Sequence, residues 1–251
     1  MDISLALSGG ASRGAFHLGV LDKFDELGVS IKAMSGASIG SFVAVAYASG
    51  LSPKDILNII KSKEFKKLFA LNFSFKSFVK VDESSDIIQN FTKFKRLEDL
   101  PTPVIISATD LKSNEVIYFE SGDVVKIVLG SCAIVPMFKA IEYDKYQLVD
   151  GCFVDNLPAK PLAKFGYPIV AVDLQPLEQI EKVGILSSTR RALQIALTPS
   201  KKKLQKNTIY ITDENLAKFS LFSFKKFDEM FEMGREAINN EILDKIREWK
   251  C

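Results

Sequence analysis

A single histidine, His17, stands among the 251 residues. Most hydrolases with a serine on a strand-to-helix elbow carry their histidine after the acid, late in the chain. His17 lies near the start, so serine chemistry here needs either this residue or a base that is not histidine. A centre built from several imidazoles is excluded by the same count. Cysteine is equally scarce: Cys132, Cys152 and Cys251 are odd in number and have neither disulfide nor zinc spacing. That usage fits a reducing cytoplasm. No apolar run approaches the ~18–20 residues that span a bilayer. Asp2-Ile3-Ser4-Leu5 runs straight into a first strand, with no signal segment expected before it. Charge of one sign is lacking too. Thirty-three basic and 31 acidic side chains leave a net charge of +2, which gives no electrostatic footprint for nucleic acid. There is no internal repeat and no low-complexity tract.

Against these absences stands Gly36-Ala37-Ser38-Ile39-Gly40. An apolar run, Ile31 to Met34, precedes it and reads as a buried strand, while alanine-rich Phe42 to Ala48 follows as a helix. Strand, G-x-S-x-G, helix is the pattern of a nucleophile elbow, in which Gly36 and Gly40 remove the collisions of a sharp turn and Ser38 is pushed toward substrate. Upstream, the strand Ile3 to Leu7 leads into Gly9-Gly10-Ala11-Ser12-Arg13-Gly14 and then a helix containing His17. Backbone amides gathered in such a turn suit an anion. Two uses are open, a phosphate site or an oxyanion hole, and the elbow one strand later favours the second. His17 itself reads first as a packed, hydrogen-bonded helix residue.

Further along, Ser52-Pro53 with Asp55 starts a helix with the right cap chemistry. From Phe65 to Lys80, phenylalanines alternate with lysines, which suits either a membrane-contacting flap or a helix-loop packing its aromatics on the core. Asp86 to Phe94 reads as an amphipathic helix. Val104 to Ala108 is a central strand ending in Thr109-Asp110, and Glu115 to Phe119 another. Val124 to Cys132 reads as a helix. Lys139 to Tyr143 and Tyr146 to Val149 form a hairpin around Asp144-Lys145 that delivers Asp150-Gly151. Tyr167 to Asp173 and Ile209 to Ile211 are the last strands, a basic stretch runs from Arg190 to Lys206, and Phe224 to Trp249 reads as one long amphipathic helix.

Three blocks in order, the glycine loop from Gly9, the elbow around Ser38, and Asp150-Gly151 followed by Asp155-Asn156-Leu157-Pro158, resemble the patatin-like phospholipases. The resemblance runs through most of the chain, including Ala108 to Leu111 and Ser131 to Phe138. It implies a three-layer α/β/α fold with a central, mostly parallel sheet, residues 1–251 forming one domain and 191–251 its helical and basic layer. It further implies a serine–aspartate dyad, which resolves the scarcity of histidine. Ser38 becomes the nucleophile and Asp150 the base, with Gly151 in the acid-loop motif. The loop of Gly9, Gly10, Ala11, Arg13 and Gly14 becomes the oxyanion hole, with the amides of Gly10, Ala11 and Arg13 as donors. No metal and no cofactor are expected. Phospholipid or lysophospholipid is the implied substrate, met by a cytoplasmic protein at the inner membrane surface. The chain departs from the pattern in Ala11, which replaces a glycine at little cost if its φ is negative, in Cys152 after Gly151, and in the place of Pro136. A non-hydrolytic lipid-binding protein on the same fold and an acyltransferase using the same acyl-enzyme are the competing readings. Asp110 is the competing acid, though it and Asp173 read as structural strand-end residues.

Overall fold

In this computed structural model, residues 1–65, 91–176, 188, 207–221 and 225–249 are described. Eight strands form one sheet: β1 (Asp2–Leu7), β2 (Ser30–Ala37), β3 (Val104–Asp110), β4 (Glu115–Phe119), β5 (Ile141–Tyr143), β6 (Tyr146–Asp150), β7 (Ile169–Val172) and β8 (Ile209–Ile211). Five of them, in the order β3-β2-β1-β7-β8, run parallel, while β4, β5 and β6 extend the β3 end by antiparallel pairing. The architecture is a mixed, mostly parallel sheet flanked by helices.

Both faces of the central strands are covered, and side-chain alternation decides what each meets. Ile3, Leu5 and Leu7 of β1, Met34 of β2, and Val170 and Val172 of β7 point into a large core shared with the α-helices. Those helices are α1 (Gly14–Glu26), α2 (Ile39–Ala48), α3 (Pro53–Lys61), α4 (Val124–Ser131), α5 (Phe227–Glu236) and α6 (Asn240–Glu248). The other face presents Ala6, Ala33, Ile105, Ile169 and Ala171, beneath Leu157, Ala159 and Leu162. Small residues suffice there because, among the described residues, the covering layer is thin: a 3-10 helix over Lys160–Phe165 and the loop before it.

The local rules of the sequence operate as expected at several ends. Ser52 caps α3 by accepting from the Asp55 amide, with Pro53 in the first turn, a cap of about 1 kcal/mol. Asp123 does the same for α4 through the Lys126 amide. Gly28, at φ +65°, takes the left-handed turn after α1. The hairpin turns at Asp144, also at positive φ, with Tyr143 opposite Tyr146.

Two expectations are corrected. Phe224 to Trp249 is not one helix: α5 ends at Glu236, and Asn239 starts α6 by accepting from the Ile242 amide. An asparagine that bonds the backbone ahead of it favours a new start over continuation. Residues 91–94 of the expected helix from Asp86 are not helical; there the Thr92 hydroxyl accepts from the Phe94 amide and bonds Ser49. Residues 66–90, most of the aromatic–lysine run, lie outside the described residues, as do the basic stretch from Arg190 to Lys206 and Cys251. Phe65, which opens that run, is buried with its ring 5.3 Å from Phe42. Among the described residues no helix is long and apolar enough to cross a membrane.

Candidate active site

Strand register by itself brings Ser38 and Asp150 together. A strand has two edges. β4 pairs with β3 over Ile106 to Asp110, so β2, which overlaps it at Ile106 and Ser107, lies on the opposite edge. β6 pairs with Ala108 to Asp110, also opposite β4, and therefore continues the edge that β2 vacates. Ala37 stands opposite Ser107 and Asp150 opposite Ala108, the next position. Asp150 thus arrives from the antiparallel direction where the chain leaves β2 at Ser38. On the other side of β2, Leu7 pairs with Gly36, which brings the loop after β1 to the same end of the sheet.

The turn at Ser38 is strained and heavily braced. Its φ of 52° and ψ of −127° are unusual for a residue with a side chain, a conformation that costs on the order of 1–3 kcal/mol. The Ser38 carbonyl accepts from the Ser41 amide (2.9 Å), the Ser41 hydroxyl (2.7 Å) and the Phe42 amide (3.2 Å). Its N–H donates to Ser131 Oγ at 2.9 Å, and that hydroxyl donates on to the Ser107 carbonyl at 2.8 Å. Both flanking glycines are required by space: a Cβ on Gly36 would lie 2.4 Å from the Gly40 carbonyl oxygen, and one on Gly40 would lie 2.3 Å from that of Leu7.

Asp150 is fully buried. Its Oδ1 accepts from the Cys152 amide at 2.8 Å, whereas Oδ2 closes no hydrogen bond to the described residues. Burial pushes the carboxyl from 3.8 up to about 6, opposed first by the Cys152 amide. Gly151 sits so close to β3 that a Cβ would fall 2.5 Å from the Ser107 carbonyl oxygen. Cys152, by contrast, fits without a glycine inside a 3-10 turn. Burial, with Asp150 close by, raises both the Cys132 and Cys152 thiols well above the usual range, so they stay protonated.

The glycine loop packs directly on Ser38, for a Cβ on Gly9 would lie 3.0 Å from Ser38 Cβ. Its amides are unequally engaged. Gly9 N–H donates to Asn156, Ser12 N–H to the Leu221 carbonyl, Arg13 N–H to that of Gly10, and Gly14 N–H to that of Ala11. The amides of Gly10 and Ala11 make no hydrogen bond to the described residues. Arg13 is therefore not a free donor; its guanidinium anchors the loop instead, donating to the carbonyls of Leu174 (2.9 Å) and Phe219 (2.7 Å). The condition under which Ala11 would cost little is not met: its φ is +48°, so the methyl group costs roughly 1–2 kcal/mol where glycine would cost less.

The remaining titratable candidates have hydrogen-bond partners of their own. His17 is wholly buried on α1 and donates from Nε2 to the Ser8 carbonyl at 2.8 Å, leaving Nδ1 without a partner among the described residues. Burial lowers it from 6.5 to about 4, so it stays neutral. Asp110 accepts from the Gln147 and Ser113 amides and the Ser113 hydroxyl, which hold its carboxyl below the usual value. Asp173 accepts from the Gln175 amide and the Tyr210 hydroxyl. Among the described residues no cluster of His, Cys, Asp or Glu could hold a metal ion. Two residues gain roles that sequence reasoning did not assign, Ser131 under the Ser38 amide and Asn156 under that of Gly9. Each stood in a quoted block, but only the fold says what its side chain meets.

Comparison with known proteins shows the family of the chain. The patatin-like phospholipase family model matches residues 5–163. Lysophospholipase NTE1 of Candida albicans is 23% identical over 283 aligned residues, covering 99% of this chain and 20% of that protein. Lysophospholipase NTE1 of Cryptococcus neoformans is 26% identical, covering 98% of this chain and 17% of that protein. The chain thus spans about a fifth of these relatives' length. Among solved structures, VipD from Legionella pneumophila has a TM-score of 0.47 and 15% identity, covering 92% of this chain and 67% of that one. By its match over more than half its length, the chain belongs to the patatin-like phospholipase family.

Proposed function

We propose that this chain hydrolyses acyl esters of phospholipids or lysophospholipids through a Ser38–Asp150 dyad. The observation that carries the proposal is the carboxyl of Asp150, buried beside Ser38 with one oxygen unbonded and its pKa raised to about 6. A free aspartate is a poor base near neutrality; one raised to about 6 is better matched to taking a proton from an attacking hydroxyl while still being ionised at pH 7. The match to the family and the relatives named lysophospholipase support the substrate class.

In this mechanism Ser38 Oγ attacks the ester carbonyl carbon as its proton passes to Asp150. The carbonyl oxygen becomes an oxyanion, which the amides of Gly10 and Ala11 stabilise. One such donor is worth about 3–4 kcal/mol in the transition state. Collapse breaks the bond to the alcohol, which leaves with the proton from Asp150, and the acyl group stays on Ser38. Water then attacks the acyl-enzyme, giving its proton to Asp150. Release of the fatty acid returns that proton to Ser38. The turn around Ser38 serves as the nucleophile elbow, its strain braced through Ser131 and Ser41.

Fluorophosphonate labelling of wild type beside Ser38→Ala is the direct test, followed by release of fatty acid from phospholipid vesicles. Labelling confined to wild type, with fatty acid released, is the expected result. A folded wild type that neither labels nor hydrolyses, with or without vesicles, overturns the proposal in favour of a lipid-binding role. Recovery of acyl-glycerol when glycerol is added would instead assign the acyl-enzyme to transfer.

A further inference from the structure

Donors stabilise a developing charge only when held in place beforehand, and a pair of glycines is the most freely rotating stretch a chain can have. Something must therefore fix the loop between its two anchored ends. At one end Ser8 is tied to β7 and beyond, its amide donating to Val172 and its hydroxyl accepting from the Leu174 amide. At the other the Arg13 guanidinium grips the carbonyls of Leu174 and Phe219. Between them the amide of Gly9 has Asn156 as its acceptor twice over, through Oδ1 at 3.0 Å and the main-chain carbonyl at 3.2 Å.

We propose that Asn156 is a positioning residue for ester hydrolysis, holding the glycine loop through Gly9 so that the unbonded amides of Gly10 and Ala11 are set for the oxyanion formed at Ser38. The inference rests on the reading of Ser38 as nucleophile given above. A Cβ on Gly9 would lie 2.5 Å from Asn156 Oδ1 and 3.0 Å from Ser38 Cβ, so only the width of a glycine separates the carboxamide from the reactive serine. Asn156 also belongs to the same loop as Asp150, where the Asp155 amide closes back on the Gly151 carbonyl at 2.9 Å. It thus links the acid-bearing loop to the loop of donors.

The second observation is the other end of the carboxamide. Asn156 is 3% exposed, and its Nδ2 has no acceptor among the described residues. Turning the side chain over would place N–H against N–H at Gly9, so Oδ1 is locked toward the loop. A buried donor without a partner costs folding free energy, which a residue present only for packing would avoid.

The test uses the full chain and an acyl p-nitrophenyl ester, with active sites counted by fluorophosphonate labelling. Asn156→Ala should lower kcat per labelled site by about 10²-fold, while KM stays within about threefold. Affinity for an acyl trifluoromethyl ketone, which adds to the serine as an oxyanion, should fall in parallel. Asn156→Leu, of similar size and without the orphaned donor, keeps the experiment decisive if the alanine variant does not fold. It should melt near the wild-type temperature and still lose kcat. A kcat per labelled site within about threefold of wild type in the folded variant overturns the inference and leaves the dyad standing. An inactive, unlabelled wild type removes the dyad and this inference together.

Discussion

The same burial that would suit Asp150 to the proposed role of base makes it a liability to folding. Its carboxyl is raised from 3.8 to about 6 in the folded chain, chiefly by desolvation. The folded state therefore holds the proton more tightly than the unfolded one. The resulting stabilisation is fully present below pH 3.8 and is lost as pH rises through about 6, leaving a relative cost of about 3 kcal/mol at pH 8. Asparagine cannot ionise, so Asp150→Asn should be more stable than wild type at pH 8 by up to about 3 kcal/mol. That advantage should vanish near pH 4. Urea denaturation at both pH values measures it, and a variant equally destabilised at both would refute the account. Turnover should move the other way, falling by about 10²–10⁴, and wild-type kcat should decline as pH drops through about 6. Ala11 is a smaller case of the same exchange, a left-handed alanine in the loop whose unbonded amides the proposed mechanism would use.

Between elements, the closest glycine contact among the described residues joins α1 to α5. α1 and α5 cross at Gly19 and Gly234, where a Cβ on Gly19 would fall 1.9 Å from the Phe231 carbonyl oxygen and one on Gly234 would fall 2.1 Å from that of Phe16. Backbone meets backbone there, and Arg235 on α5 is paired with Asp22 and Glu26 on α1. Because α1 begins at Gly14, directly after the glycine loop, the joint also supports the loop's exit. Gly234→Ala should destabilise the fold by about 1–3 kcal/mol or more, since neither backbone can retreat without moving its helix. A thermal melt reads this directly; an unchanged melting temperature would mean that the helices are free to separate. Ser131 shows the same dependence between elements, its hydroxyl joining the end of α4 to the turn after β2 and to β3.

Across the whole molecule, the family match ends at residue 163 while the sheet does not. β7 pairs with β1, the strand that leads into the glycine loop, and β8 pairs with β7. The segment after β8 supplies the carbonyls of Phe219, Ser220 and Leu221 that hold Arg13 and Ser12. A fragment of residues 1–163 would leave an open edge on β1, uncover the apolar face of α1 and free the loop. It should not fold to a single state. Circular dichroism melting and amide dispersion in NMR of the fragment test this; a cooperative melt would show that the matched block stands alone.

Several features were legible from residues alone. The strand–Ser38–helix turn, the hairpin ending at Asp150, the Ser52 cap and the buried runs of β1, β3 and β7 all follow from local rules, namely glycine at a sharp turn, cap chemistry and alternation. The single histidine already pointed away from a conventional triad, because composition needs no coordinates. Other features depend on which strand lies beside which. That β6 takes up the edge β2 leaves, and so sets Asp150 beside Ser38, follows from register over more than a hundred residues of separation. Which amides of the loop remain free depends on carbonyls supplied from Asn156 and from the segment near Leu221. The raised pKa of Asp150 is a property of burial. Spacing along the chain encodes turns and faces, but burial and long-range partners exist only once distant segments have packed, and on these the chemistry proposed at Ser38 depends.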